Sequence, residues 1–502
     1  MADATAAFDI VVRGGRVLDP ETGFDAIADV GIVGDRIEAV GPALAAGARE
    51  IDASGLVVAP GFIDLHAHGQ SIPADRMQAF DGVTTALELE VGALPVGRWY
   101  ESQKAAGRVL NYGTAAAWLF ARKAVMIGLD LNGKLAPIEM MGAGANDMRW
   151  SVETSSPSQT EEIVAITREG LQQGALGIGI PNGYAPGAGV KEMTRICELA
   201  VEFSMPTYTH IPYMSNLDPK SSIEAYVRLI GLAGATGAHM HICHLNSTSL
   251  HDVEHAAALI RKAQEQGLPV TTEAYPYGTG STVMSAGFFM ETDFAERTGT
   301  GYDAIQEVST GKRFKSRDEL AAARTATPGA LVLWHFLDDK NPHDSELLDV
   351  SVMYPGGAIA SDAVPWSNPD GTLYSGDEWP LGPDKSSHPR SSGTYTRFLN
   401  QWVNERKVVP LLEAIAKCTL IPARIVESCS EQFRRKGRLQ AGCDADIVVF
   451  DLADVRDRAS FEEMHLPADG MVHVLVNGEA VISERELVLD ARPGRAIKSD
   501  PR

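Results

Sequence analysis

Residues 57–68, V-V-A-P-G-F-I-D-L-H-A-H, constrain this chain more than any other stretch. An apolar run rich in β-branched residues favours a strand, Pro60-Gly61 interrupts it, and two histidines spaced i, i+2 end it. Residues two apart on a strand point to the same face, so His66 and His68 can present two imidazoles to one point. Two neutral imidazoles make a borderline-soft site best suited to zinc. His-x-His pairs also arise by chance on protein surfaces, so the remainder of the chain decides between the two readings.

At 502 residues the chain is long enough for one (β/α)8 barrel of roughly 250 to 400 residues with a smaller second domain. Lys and Arg number 44 against 66 Asp and Glu, a formal charge of −22. So acidic a surface argues against nucleic acid or an anionic membrane as partner and leaves a small-molecule substrate. A homo-oligomer is compatible with it. The five cysteines, Cys197, Cys243, Cys418, Cys429 and Cys443, are scattered and form no C-x-x-C pair. A disulfide frame or a cysteine-rich zinc site is therefore not expected, and a reducing, cytoplasmic setting fits best. The residues after Met1, A-D-A-T, carry neither a basic start nor an apolar core, so no secretory leader is expected. No uninterrupted apolar run reaches the ~18 residues of a membrane span.

Short β runs with Gly-rich turns fill residues 8–58, among them F-D-I-V-V-R before Gly14-Gly15, and G-I-V-G-D-R-I-E-A-V-G. Similar runs return at 437–482, joined by Gly and Asn-Gly turns. Both ends are expected to build one discontinuous β-sandwich, from 1–60 and 435–502, flanking a barrel over 61–434. In between, strands and helices alternate, the pattern of a parallel sheet. Strand candidates are Thr84–Glu90, Tyr112–Leu119, Ala175–Pro181, Pro206–Ile211, His239–Leu245, Val270–Tyr275, Leu331–Phe336 and Gly357–Asp362. With the first strand these make nine for eight places, so either Val270–Tyr275 or Leu331–Phe336 lies outside the barrel, beside an insertion near 278–330. A helix is predicted over Ser158–Gln173, with Ser158 as N-cap and Glu161 completing a capping box, and Gly174 as its stop. The turn-rich stretch 364–388 follows the last strand, where a loop overlies the mouth of a barrel.

Polar residues recur at strand ends: His210 in P-T-Y-T-H, His244 in H-M-H-I-C-H, Asp362 in A-I-A-S-D. Each alone has a structural explanation, a satisfied histidine or a helix N-cap. With P-G-F-I-D-L-H-A-H they resemble the amidohydrolase superfamily, where the His-x-His pair binds a catalytic metal inside a (β/α)8 barrel. Along most of the chain the similarity narrows to D-aminoacylases, the N-acyl-D-amino-acid deacylases. It is carried by G-V-T-T at 82–85, G-A-L-G at 174–177, A-Y-P-Y-G-T-G-S-T at 274–282, H-P-R-S-S-G-T at 388–394, I-P-A-R at 421–424 and G-C-D-A-D-I-V-V-F-D at 442–451. The resemblance implies that His66, His68, His210 and His244 bind one or two Zn2+ ions, with Asp362 as metal-side general base. It implies that Tyr275, Ser281 and Arg390 hold a substrate carboxylate, a role that suits the planar fork of arginine.

Three departures bear on the substrate. The deacylases carry a zinc-binding cysteine after G-V-T-T, where this chain has Val91; Asn246, counted with the substrate-binding residues, stands where they tend to have a lysine; and no arginine closely follows His210. No lysine in A-L-G-I-G-I-P offers a carboxylated bridge either. Glu88 and Glu90 interrupt an apolar strand, and period two puts both on the face opposite Leu87, Leu89 and Val91. Unpaired buried carboxylates are costly, so both should point into the barrel, with Glu90 nearer the mouth as the metal ligand and Glu88 deeper. His239 and His241 are off the parity of His244 and are read as structural. Trp366 and Trp379, in the mouth loop, are candidate pocket walls. G-A-G-A-N at 142–146 lacks the lysine of a phosphate loop, and no G-x-S-x-G elbow is present. The expected function is metal-dependent hydrolysis of the amide bond of N-acyl-D-amino acids or related N-acyl or peptide-like compounds. The alternatives are a cyclic amidase or lactonase on the same barrel, and a non-catalytic assembly homologue.

Overall fold

The run at 57–64 is divided between two sheets. In the computed structural model, which describes residues 7–500, Val57–Pro60 pairs with Phe8–Asp19 in a terminal sheet, while Phe62–Asp64 (β1) starts a barrel. The leader reading of Met1 and its neighbours lies outside the described residues. Gly61 makes the crossing: a Cβ there would lie 2.2 Å from the Thr84 hydroxyl and 2.3 Å from its methyl. No side chain fits that approach.

The barrel continues with β2 (Val83–Ala93), β3 (Asn111–Ala117), β4 (Ile178–Pro181), β5 (Thr207–His210), β6 (Met240–Ile242), β7 (Val270–Ala274) and β8 (Ala358–Ile359). Neighbours in sequence are neighbours in the sheet, and every pairing is parallel. A parallel bridge from Ala67 to Ala363 brings the two ends together. Helices on the outside bury what the strands leave uncovered, so β2 and β3 are buried at every residue and show no polar alternation.

Of the two rival strands, Val270–Ala274 takes the barrel place. Leu331–His335 instead pairs antiparallel with Thr279–Val283 and Ile305–Glu307 in a separate three-stranded sheet. A barrel strand must run parallel to its neighbours, and Leu331–His335 returns along the segment that has just left β7. The insertion therefore extends past 330. The predicted helix also shifts: it spans Pro157–Gln172, capped by Ser156, whose hydroxyl accepts from Gln159 N while the Gln159 side chain accepts from Ser156 N. Proline's fixed φ suits the first helical position, which puts the cap one residue before Pro157.

The terminal sheet joins five strands from the start of the chain to four from its end, with Ile447–Phe450 antiparallel to Val57–Pro60. Val12, Val30, Ile37, Val58, Ile447 and Val449 form its own hydrophobic core. After it the chain returns to the barrel, where Ile497 N donates to Tyr112 O on β3. Among the described residues no helix is long and apolar enough to cross a membrane.

Candidate metal centre and its cavity

His66, His68, His210, His244 and Asp362 stand at or just beyond the C-terminal ends of barrel strands, and Glu90 lies near the end of β2. Ser281 and Arg390 come from the insertion and from the helix Arg390–Phe398. Asp64, the last residue of β1, accepts from His66 N (3.1 Å), from Ser361 N (3.0 Å) and from the Gln78 amide (2.7 Å). This pins the end of β1 to the segment after β8 and holds His66 and His68 beside Asp362. His244 (φ 34°) and Asp362 (φ 49°) occupy the left-handed region, uncommon for residues with a Cβ. Both follow a strand, and the turn aims each side chain across the barrel mouth.

Glu90 joins the two halves. Its Oε2 lies 3.2 Å from His66 Nε2 and 3.5 Å from His68 Nε2; its Oε1 lies 3.0 Å from His210 Nδ1 and 3.1 Å from His244 Nε2. Asp362 Oδ1 is 3.4 Å from both His66 Nε2 and His68 Nε2, and its Oδ2 is 2.8 Å from Arg390 Nη2. Beneath them, Glu273 accepts from His66 Nδ1 (2.5 Å) and bonds His241 Nε2 (3.1 Å), while Glu88 holds His68 Nδ1 (2.9 Å). Both glutamates of β2 face inward. The strand does not stay regular there: its register against β3 shifts between Glu88 and Ala93, so Val91 borders the cavity as well as Glu90.

The residues fit a bound cation. With their Nδ1 atoms engaged by Glu273 and Glu88, His66 and His68 aim their Nε2 lone pairs at one another, 3.1 Å apart, and at two carboxylates. Acceptors facing acceptors repel unless a proton or a metal lies between them. Two ligands bound tetrahedrally at zinc distances stand roughly 3.4 Å apart, close to the spacings here. Burial opposes charge on these rings, yet Asp362, Glu90 and Glu273 outweigh it and raise the His66 pKa well above the usual; Glu88 and Asp362 do the same for His68. Burial likewise opposes ionisation of Glu90 and Asp362. His66, with the hydrogen bonds of His210 and His244, holds Glu90 well below the carboxylate range, and Arg390 with His66 holds Asp362 low. The pocket thus attracts positive charge. His66–His68–Asp362 and His66–Glu90–His244 each bring three donor atoms together. A third cluster, His66–Cys243–Glu273, fits poorly, because both Glu273 oxygens are engaged and burial pushes the Cys243 thiol well up, away from the thiolate a metal needs.

Beside the centre is a cavity of about 60 Å3, with His68, Glu90, His210, His244 and Asp362 at its base. Tyr275 Oη, Ser281 Oγ, and Nε and Nη1 of Arg390 are buried without a hydrogen-bond partner among the described residues. The Arg390 guanidinium lies 4.6 Å over the Tyr275 ring. Burial pushes the Tyr275 phenol up to about 12, so it remains a donor. Asn246 faces elsewhere: its amide donates to Tyr275 O and Tyr277 O, and Ser247 borders the cavity instead. Neither mouth-loop tryptophan is a wall. Trp366 is buried, and Trp379 stacks on Phe80 at 5.3 Å. The aromatic walls come from Tyr184 and from Phe288, Trp334 and Phe336 of the insertion, which the sequence reading did not single out. The aromatic pair in G-F-F-M at 287–290 was the one available signal.

His239 and His241 need a partial correction. His239 bonds Thr271, as a structural residue does. His241, however, faces the barrel interior just as His244 does, because β6 ends at Ile242 and the left-handed turn at His244 breaks the parity rule. Glu273, also missed, was legible by the criterion that found Glu88 and Glu90: a lone carboxylate in an apolar strand.

The chain matches the model of the Amidohydrolase family over residues 49–254 and 244–482. It is 28% identical to an N-acyl-D-glutamate deacylase of Alcaligenes xylosoxydans xylosoxydans, across 98% of this chain and 97% of that one, and 27% identical to a D-aminoacylase of the same organism, across 95% of each. Among solved structures, N-acyl-D-glutamate deacylase from Bordetella bronchiseptica, complexed with zinc and a phosphonate mimic of the tetrahedral intermediate, superposes with a TM-score of 0.76 at 23% identity, covering 98% of this chain and 100% of that one. A D-aminoacylase structure gives the same score and identity. With the family match spanning most of its length and the metal-binding geometry at the mouth of its barrel, this chain belongs to the amidohydrolase family.

Proposed function

We propose that this protein is a zinc-dependent deacylase of N-acyl-D-amino acids or closely related N-acyl compounds, cleaving the amide to a carboxylic acid and a free amine. The observation that carries the reading is a single one: buried, unpartnered donors on Tyr275, Ser281 and Arg390 stand beside a His/Glu/Asp cluster suited to a metal. His66, His68 and Asp362 would hold one ion, and Glu90 would reach from it toward His210 and His244. When bound, zinc lowers the pKa of a coordinated water to around 7 and polarises an amide carbonyl. Asp362 takes the proton from the attacking water and returns it to the leaving nitrogen. Arg390 has two tasks: one edge keeps Asp362 ionised, and its remaining N–H groups, with Tyr275 and Ser281, bind the α-carboxylate. Glu273 and Glu88 fix the tautomers of His66 and His68, leaving each Nε2 free to ligate. The buried thiols are in keeping with a reducing, cytoplasmic setting.

The test is elemental analysis of gently purified protein, followed by a screen of N-acyl-D- and N-acyl-L-amino acids with and without added zinc. Bound zinc with turnover of the D series is expected. Absence of any transition metal and no activity restored by zinc would end the metallohydrolase reading; turnover of cyclic amides alone would replace it with a cyclic amidase.

A further inference from the structure

A second and larger cavity, about 510 Å3, lies beside the centre and has His68 in its lining. His68 and Ile138 border both cavities. Its walls come from one face of the helix Val96–Ala106 (Trp99, Ser102, Gln103 and Ala106), the segment 133–140 and the mouth-loop residues 373–375, with Leu94, Trp99, Phe120, Leu135, Met140 and Leu373 as the apolar surface. Its largest polar group is not available to a ligand charge. Arg108 forms a two-point ion pair with Asp75 and donates to Gln70 and Gln103, so these polar side chains satisfy one another. Apolar residues make up the larger part of the remaining lining, interspersed with Ser71, Ser102, Lys134, Glu139 and Ser375, and the volume is that of a site for a drug-sized group.

We infer that this chamber is the acyl subsite and that the substrate is an amino acid carrying a bulky apolar acyl group, aromatic or medium-chain, rather than acetyl. The inference rests on the deacylase reading above. An amide whose carbonyl lies against His66, His68 and Asp362, and whose carboxylate is held by Arg390, Tyr275 and Ser281, has its amino-acid half in the cavity that Tyr275, Ser281 and Asp362 line. Its acyl half then leaves on the other side of His68, into the chamber. An acetyl group would leave most of that space unfilled and contribute little apolar burial, whereas an octanoyl or phenylacetyl group would cover the walls.

The test compares N-acetyl-, N-octanoyl- and N-phenylacetyl-D-leucine on the zinc-loaded wild type and on two variants from different walls, Ala136→Trp and Ala106→Trp, whose folding is checked by thermal unfolding. Wild-type kcat/KM is expected to rise at least tenfold from acetyl to the longer groups, and the octanoyl-to-acetyl ratio to fall at least tenfold in either variant. A wild type with no preference for the longer groups, or variants that leave the ratio unchanged, would make the chamber a solvent path and overturn the inference while leaving the deacylase reading intact. If no N-acyl amino acid is turned over, the deacylase reading fails by itself. Titration calorimetry with octanoate and phenylacetate then decides the chamber: binding weakened by Ala136→Trp supports an acyl site, and absence of binding to the wild type overturns it.

Discussion

Two layers of the barrel interior, separated by little more than the width of an imidazole ring, behave in opposite ways. In the lower layer Glu88, Glu273, His241 and Asp64 each have a partner of complementary character, and the hydrogen bonds close on themselves. In the upper layer His66, His68, Glu90 and Asp362 meet with lone pairs toward one another, and Tyr275, Ser281 and part of Arg390 have no hydrogen-bond partner among the described residues. Both layers are buried, so burial alone does not mark a site. The difference is satisfaction: a fold can leave buried polar groups unmatched only at a cost of ~1–3 kcal/mol each, and it does so here where a metal and a substrate would match them.

The comparison makes ordered predictions. Asp362→Asn, in the upper layer, should lower turnover by ~10² to 10⁴, the usual worth of a general acid or base. Steady-state kinetics with metal content measured in parallel checks this; near-full turnover with metal bound would remove Asp362 from its role. Glu90→Gln should follow, reaching or exceeding the top of the ~10- to 100-fold range typical of groups behind a ligand, in zinc stoichiometry or in rate at saturating zinc. Glu273→Gln and Glu88→Gln, in the lower layer, should stay within that range, because the imidazoles they orient remain in place. If Glu88→Gln costs as much as Glu90→Gln, or if both retain full zinc and rate, the distinction between the layers dissolves. The smallest effect is expected from Arg390→Lys. Losing the planar fork should raise KM for free-carboxylate substrates about tenfold and for amide-capped ones little. Equal changes in both would assign Arg390 to Asp362 alone.

The upper layer is legible in the sequence and part of the lower one is not. His66 and His68 were legible because a two-residue period on a strand is a local property. Glu90 was legible because a carboxylate in an apolar strand demands a partner. Glu273 met the same criterion but is not tied by anything local to the Nδ1 of His66, 207 positions earlier, and parity set His241 aside as structural. Parity failed at His244 because it assumes an unbroken strand, and β6 ends two residues sooner. Asn246 stood at a family position for a substrate contact but is tied to the Tyr275 and Tyr277 carbonyls.

By itself, the sequence determined the alternation of strands and helices, the terminal β domain drawn from both ends, and the polar residues at the strand ends. These follow from periodicity, turn chemistry and the cost of burying charge, all of which act within a few residues. Only the tertiary structure decided that Leu331–His335 leaves the barrel for the insertion, that Glu90 spans two pairs of histidines, and that two cavities of very different size meet at His68. Those are distances between atoms from strands far apart in the chain, and they exist only once barrel closure has brought the strand ends to one mouth.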